Sequence, residues 1–506
     1  MLAKNFIANV LSRLWNVGSS YLFIPLYLMF LGVDGYAFIG FYVVLAGVVG
    51  FADLGMTATI TREIAVLSDK PNSSSEKKDL IKTFEILYLM VIVIIFMTIF
   101  ALAPLMAKYW IKSIVFNVDD VVYYLRLIAL CLALQIPTGM YLGGLFGQQK
   151  QVSANALLII NGMLRGGCSI FLLWWWLPDL EFFFYGQILA NLIFFFLSRY
   201  TLLGSLQDDG SLTKGKFKIN IIKKHWRYAS GVAAISVVGL VLNQADKVLV
   251  SSQLAFEFFG YYSIAFTVSM VPILLANLVA VTIYPRLVLC VESGNDDNLL
   301  DSYYKSCQFT AFIVLPISLT FLFLNQHFIY SWTGLSQVAI RIDQVGFLLL
   351  LAQTFQAIIV LPFNLALANG RTKPSFYIGL SSIVFFVPLM FFLIEAWQEI
   401  GAGVSWVIFS AIMLPINIYF LHKGNRTFDF IKAHTLAFAL PIIPLLAFIF
   451  LAYKFSPDPF ISRIDNLYFI VICGVLAQII AAMSLPVIRG FMVQKKTELV
   501  NYLGVS

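Results

Sequence analysis

Apolar runs of about 20 residues recur from one end of the chain to the other, parted by short polar breaks. That is the length a helix needs to cross the roughly 30 Å hydrocarbon core of a bilayer. No water satisfies backbone N–H and C=O groups in lipid, so each run must close its hydrogen bonds within itself, as a helix does. The runs start near Phe6, Tyr36, Ile81, Val121, Ser153 and Phe182, then near Trp226, Phe258, Phe309, Val345, Pro374 and Ala402, and lastly near His434 and Asn466. The pattern predicts an all-α integral membrane protein of about 14 transmembrane helices. Only 12% of the 506 residues are charged, against about a quarter in a soluble domain, which leaves little chain outside the membrane.

Basic residues sort by loop. One set of loops collects Lys4, Arg62, Lys70, Lys77, Lys78, Lys82, the run from Lys214 to Arg227, Arg371, Lys373, Lys423, Arg426 and Lys432, and ends at Arg489, Lys495 and Lys496. The opposite set holds Lys108, Lys112, Arg341, Lys454 and Arg463 among Asp34, Asp119, Asp120, Asp179, Glu181, Glu395 and Glu399. The positive-inside rule places the first set, and both termini, in the cytoplasm. The net charge of +7 follows from this sorting and calls for no nucleic acid. The first run carries Asn9, Ser12, Arg13 and Asn16 and no small-residue cleavage site, so it reads as a span and not as a removable signal. Cys131, Cys168, Cys290, Cys307 and Cys473 form no CxxC pair, so neither a metal site nor a disulfide framework is expected.

The polar stretch at residues 205–225 divides the chain. Residues 1–204 are expected to form one six-helix lobe, 226–424 a second, and 425–506 an additional helix pair with a cytoplasmic tail. The halves share local sequence: Gly40-Phe41-Tyr42 returns as Gly260-Tyr261-Tyr262, and the basic turn Gly147–Lys150 as Asn369–Lys373. Parallel repeats are a recurrent transporter plan with the substrate site between them.

Other motifs carry little. Gly210–Lys216 fits GxxxxGK, but Phe217 follows it in a loop between spans, whereas a phosphate loop needs a strand before and a helix after; no nucleotide is expected. Asn72 and Asn425 begin glycosylation-type triplets in loops assigned to the cytoplasm. Asp119-Asp120 and Asp296-Asp297 lie in short loops without a metal-ligand cluster.

Polar residues inside spans are the stronger signal, because they are costly there and face a cavity or a partner. Asn5, Asn9, Ser12, Arg13, Asn16, Ser19 and Ser20 recur every three to four residues and draw a stripe down one helix. Asn161, Arg165 and Ser169 form another, as do Asn243 and Lys247 beside Gln244 and Asp246; Gln353, Gln356 and Asn364; and Asp53, Thr57 and Thr61. Amides and hydroxyls in such stripes also serve as hydrogen-bonded glue between helices. Charge is harder to explain as glue. Arg13, Arg165 and Lys247 are cations on three spans from both halves, and stripes facing one another would line a cationic cavity.

The opening of the chain resembles a known family. Leu11-Ser12-Arg13-Leu14-Trp15, Ile24-Pro25-Leu26-Tyr27-Leu28, Phe51-Ala52-Asp53-Leu54-Gly55-Met56 and Thr61-Arg62-Glu63-Ile64-Ala65 look like the Wzx-type O-antigen flippases. These are the polysaccharide-transport branch of the multidrug/oligosaccharidyl-lipid/polysaccharide exporter superfamily. The resemblance implies a two-lobed helical bundle without cofactor in the bacterial inner membrane. It implies movement of undecaprenyl-diphosphate-linked oligosaccharide from the cytoplasmic to the periplasmic leaflet by alternating access. Membrane lipids and other polysaccharide-assembly membrane proteins are the implied partners. Arg13 matches the family's span-one arginine; Asp53, Arg62 and Glu63 match its turn after span two. Paired cations suit a diphosphate, and the guanidinium fork suits its oxygens. The expected binding set is therefore Arg13, Arg165 and Lys247 with Asn9, Asn16, Asn161, Asn243, Gln353 and Gln356. Asp53 and Asp246 are the candidates for ion coupling.

Two other classes remain in view. A multidrug or small-molecule exporter of the same superfamily would favour an acidic site. A membrane-embedded glycan polymerase or ligase would want a large outer loop, and the longest here, around Lys108–Asp120, is short.

Overall fold

The computed structural model describes residues 2–70, 73–206, 215–371, 373–424, 426–492 and 494. Asn72, Asn425 and the Gly210–Lys214 part of the GxxxxGK motif lie outside these, as do the side chains of Lys223, Lys224 and Arg227.

Among the described residues there are 17 α-helices and no strand. They are α1 (Leu2–Val49), α2 (Met56–Ser68), α3 (Ser74–Tyr109), α4 (Val118–Gln135), α5 (Thr138–Gly147), α6 (Gln151–Trp175), α7 (Leu180–Gly204) and α8 (Ile219–Gln253). Then come α9 (Phe256–Ser269), α10 (Val271–Glu292), α11 (Asp296–Phe323), α12 (Asn325–Thr333), α13 (Ser336–Arg341), α14 (Asp343–Ala368), α15 (Lys373–His422), α16 (Thr427–Lys454) and α17 (Arg463–Ser484). Eleven described helical segments are long and apolar enough to cross a membrane. Two of these contain a break. α1 is interrupted at Gly32 (φ 66°, ψ −174°), a backbone conformation that a residue without Cβ enters readily. α15 is interrupted at Trp397 and Gln398 (φ 53°). These breaks fall between the run starts near Phe6 and Tyr36 and between those near Pro374 and Ala402.

Lipid-facing surface is legible on single helices. α3 exposes Leu89, Met90, Val93, Ile94 and Met97, whose spacing is one helical face. α6 ends in exposed Trp174, Trp175 and Trp176, the residue type enriched where hydrocarbon meets water.

The chain forms two compact units, Met1–Gly260 and Tyr261–Ser506. In the first, α2, α3, α5 and α7 close around Ile60, Ile64, Phe84, Tyr88, Tyr141, Leu145, Phe194 and Leu202. Thr57 and Thr61 face Gly143 of α5, where an added Cβ would fall 2.8 Å from the Thr61 hydroxyl. Small residues at such seams let helix backbones approach closely. The first unit extends past the 205–225 stretch because α8 packs on α1, α2 and α3. The end of that stretch is pinned to α3: Lys216 N donates to Asp79 Oδ1 at 2.6 Å, and Lys218 Nζ meets Asp79 Oδ2 at 2.6 Å. That bond raises the Lys218 ammonium pKa above its ordinary value.

In the second unit, α11 is the central helix. Tyr303, Cys307, Ala311, Val314 and Leu315 are buried in a cluster to which α10, α14, α16 and α17 contribute. Cys307 and Tyr303 meet His434, and Tyr303 also bonds His422 Nε2 at 2.6 Å.

The two basic turns share a backbone. After α5, Gln149 N donates to Phe146 O and Lys150 N to Leu145 O. After α14, Gly370 N donates to Leu367 O and Arg371 N to Ala366 O. Gln149 (φ 59°) and Gly370 (φ 68°) both take the left-handed conformation that closes a helix C-terminus this way. From Gln149 to Gly370 is 370 − 149 = 221 positions, and from Gly40 to Gly260 it is 260 − 40 = 220. The two offsets differ by one residue, and the turn pair has matching backbone geometry.

Candidate functional site

The polar stripe of α1 divides between residues bonded to α6 and residues left exposed. Asn9 and Ser12 turn toward α6: Asn9 Nδ2 donates to Gln151 Oε1 at 3.2 Å, Asn155 Nδ2 donates to Asn9 Oδ1 at 2.5 Å, and Ser12 donates to Asn155. This is hydrogen-bonded glue between helices. Further along the seam Trp15 and Ser19 meet Gly162, and Phe23 meets Gly166. Residue numbers rise together on both sides, so α1 and α6 run parallel.

Arg13, Asn16 and Ser20 follow Asn9 by four, seven and eleven residues, along the line it begins, and are exposed within their unit. Arg13 has no hydrogen-bond or ion-pair partner among the described residues. Asn16 Nδ2 donates to the Ser12 carbonyl at 2.9 Å, leaving its side-chain oxygen open. On the same helix Leu11, Leu14 and Leu22 form a separate exposed apolar line. The polar face is thus distinct from the face suited to lipid.

Arg165 sits on α6 at the level of Phe23. By helix rise this is nearly three turns, or about 15 Å, beyond the level of Arg13. Its Nε donates to Gln187 Oε1 at 3.1 Å, a terminal nitrogen donates to the Tyr42 hydroxyl at 3.4 Å, and the guanidinium lies 5.6 Å from the Tyr42 ring centre. Tyr42 in turn donates to Gln135 Oε1 at 3.0 Å. All these partners are neutral, and no carboxylate pairs with Arg165 among the described residues. Nearby, Asn161 Oδ1 and Trp15 Nε1 are buried without a hydrogen-bond partner among the described residues, although buried polar atoms are normally satisfied. An unpaired acceptor and an unpaired donor therefore stand on the α1–α6 seam below Arg165.

Lys247 differs. Its ammonium meets Asp246 Oδ1 at 3.1 Å and donates to the Asn243 carbonyl at 2.8 Å. The Asp246 side chain is fully buried. Asn243 is exposed and donates to the Gly239 carbonyl. Charge cancels within this pair, so Lys247 and Asp246 supply a neutral unit where Arg13 and Arg165 supply net positive charge.

Asp53 ends the 3-10 turn Gly50–Asp53, after which Leu54 (φ 47°) and Gly55 (φ 74°) swing the chain into α2. Its carboxylate accepts from Thr57 N at 3.2 Å and Thr57 Oγ1 at 2.6 Å, and the Tyr88 hydroxyl donates to it as well. Accepting a first-turn N–H is what a helix-capping acid does. Asp53 also lines a cavity of about 260 Å³ together with Thr57, Gln135 and Thr138. Gln135 thus joins the Asp53 cavity to the Tyr42–Arg165 network. Arg62 pairs with Glu63 at 3.5 Å.

Gln353 and Gln356 belong to the second unit. Gln353 is buried, and Gln356 Nε2 donates to Ser410 Oγ at 3.1 Å, again an interhelical bond. Gln135, Tyr42, Gln187 and Tyr88 were not singled out from sequence as site residues. Tyr42 lies within the repeated glycine–aromatic–aromatic motif, which is the signal that marks it.

Residues 2–289 match a family described as polysaccharide biosynthesis protein. A Shigella flexneri protein assigned as an O-antigen transporter is 22% identical over 300 residues, which is 58% of this chain and 69% of that one. Among solved structures, the lipid II flippase MurJ in an inward closed conformation matches 94% of this chain and 97% of its own, with a TM-score of 0.68 and 16% identity. An inward-facing multidrug resistance transporter of the MATE family matches 82% of this chain and 93% of its own, with a TM-score of 0.63 and 13% identity.

Proposed function

The chain belongs to the polysaccharide biosynthesis protein family, and from that premise we propose that it is a Wzx-type flippase for undecaprenyl-diphosphate-linked oligosaccharide. It carries this substrate from the cytoplasmic to the periplasmic leaflet of the bacterial inner membrane by alternating access. The observation that carries this reading is Arg165, a cation within a membrane helix whose recorded partners are all neutral. A charge so placed is costly unless a function retains it, and an anionic diphosphate offsets it. Arg13, with its exposed neighbours Asn16 and Ser20, offers a second cation and hydrogen-bonding groups at another depth of the same helix pair.

In this reading the eleven apolar segments become fourteen crossings. The breaks in α1 and α15 each divide one segment into two, and α8 supplies one more (11 + 2 + 1 = 14). The loops rich in Lys and Arg, and with them both termini, face the cytoplasm. The inside-negative potential favours outward movement of the anionic headgroup by about 2.3 kcal/mol per charge per 100 mV.

One observation favours a second reading, an ion-coupled exporter of small molecules: Asp53 lines a cavity inside the first unit. The experiment that separates them uses proteoliposomes and two substrates, a fluorescent lipid-linked oligosaccharide and a lipophilic cation. Outward movement of the lipid that is lost in Arg13→Ala and Arg165→Ala supports the flippase. Export of the cation without movement of the lipid replaces it with the exporter.

A further inference from the structure

The basic turn after α14 has a structural role that leaves two charges over. Arg371 donates to the carbonyls of Phe420, at 3.1 Å, and Lys423. Those carbonyls close α15, where a helix concentrates partial negative charge. The guanidinium thereby ties the start of α15 to its end, and Lys373 and Lys423 stand beside the tie. Neither lysine's ammonium has a hydrogen-bond or ion-pair partner among the described residues.

Both lysines line a trough of about 1160 Å³ between the two arms of α15. One wall is Tyr377, Leu380 and Val384, spaced along one helical face, and Phe420 contributes to the other. Val384 is 64% exposed and Phe420 45%. From Tyr377 to Val384 the wall runs about 10 Å along the helix, enough for the upper part of a hydrocarbon chain. Among the described residues, polar lining apart from the basic residues is limited to Ser381 and the Tyr377 hydroxyl, which is too sparse for a glycan.

We propose that this trough binds an anionic glycerophospholipid of the surrounding membrane, with its phosphate between Lys373 and Lys423 and an acyl chain along Tyr377, Leu380 and Val384. Basic pockets between membrane helices hold lipid headgroups in this way. The bound lipid bridges the two arms of α15 where Arg371 already ties them, and so stiffens that end of the second unit.

The test is native mass spectrometry of the full-length protein in detergent, titrated with phosphatidylglycerol, phosphatidylcholine of the same chains, or undecaprenyl phosphate. A bound phosphatidylglycerol is expected to be preferred. Lys373→Gln with Lys423→Gln should weaken it about thirtyfold, at roughly fivefold per lysine near a membrane surface. Arg at both positions should retain it. Val384→Trp, which fills the trough and leaves the charges in place, should also weaken it. Equal binding of phosphatidylcholine, undiminished binding by the double Gln variant, preference for undecaprenyl phosphate, or displacement of the lipid by inorganic phosphate at equal concentration each overturns the proposal.

Discussion

Arg165 and Gln187 hold each other twice: the Arg165 Nε donates to the Gln187 side-chain oxygen at 3.1 Å, and the Gln187 Nε2 donates back to the Arg165 carbonyl at 2.9 Å. The same Nε2 lies 2.8 Å from Ser169 Oγ, and Gln187 is 2% exposed. A buried amide that is itself fixed therefore sets the direction of the guanidinium while leaving its charge uncancelled.

Arg165→Ala should lower lipid-linked oligosaccharide transport by about tenfold to a hundredfold, the range expected for hydrogen bonds to a charged group. Gln187→Leu should lower transport less, because it removes the orienting group and keeps the charge. Transport by both variants is to be normalised to folded protein in the membrane. Full activity in Arg165→Ala would remove this residue from the transport site.

Different substitutions separate the contact of Asp53 with the start of α2 from its proposed part in ion coupling. Asn still accepts a hydrogen bond at a helix start, whereas Ala does not and costs roughly 1 kcal/mol. Asp53→Asn should therefore melt near the unmodified protein, and Asp53→Ala below it. If the carboxylate senses a coupling ion, both variants lose the response of flipping rate to an imposed pH or sodium gradient. Retention of that response in Asp53→Asn leaves capping as the role.

The Ser12–Asn155 contact is structural. Ser12→Ala and Asn155→Ala should each destabilise the protein, with a coupling near 0.6 kcal/mol, typical of polar contacts between membrane helices. Transport per folded molecule should stay unchanged. A loss of transport without a loss of stability would move this pair into the substrate path.

His327, in α12, is partly desolvated, and burial pushes its imidazole pKa below the ordinary 6.5. Its Nε2 lies 2.9 Å from the Pro457 carbonyl, a contact the neutral ring makes by donating. The unfolded chain takes up the proton first as pH falls, so this contribution is complete above about 6.5 and is lost below it. Thermal unfolding between pH 8 and pH 5 should show a shallower acid slope in His327→Gln than in the unmodified protein. Identical slopes would mean that the ring is not desolvated in solution.

Membrane helices announce themselves because the bilayer imposes length and apolarity on each segment independently, so the run starts near Phe6, Tyr36, Pro374 and Ala402 could be placed without tertiary information. Gly32 and Gln398 then mark where continuous helices bend between paired runs. The local likeness of Gly40-Phe41-Tyr42 to Gly260-Tyr261-Tyr262, and of one basic turn to the other, is legible too, because both are local features. Where the first unit ends was less legible: α8 follows the polar 205–225 stretch, yet its packing on α1, α2 and α3 assigns it to the first unit.

The polar stripes show the limit of reading by spacing. Asn9, Ser12, Arg13 and Asn16 recur with helical periodicity, and the sequence by itself determined that they form a polar stripe. Residues along one stripe meet different neighbours at different levels, and only the position of α6 decided that Asn9 and Ser12 are bonded to Gln151 and Asn155 while Arg13 and Asn16 remain exposed. Lys247 and Arg165 likewise read as equivalent cations in membrane spans. Asp246 neutralises the first from the adjacent position, and Gln187 and Tyr42 orient the second without neutralising it. The difference lies in what each cation meets in space. Residue type and period determine that a charge sits in the membrane, and the packing of distant helices determines whether it is cancelled there or left available to a ligand.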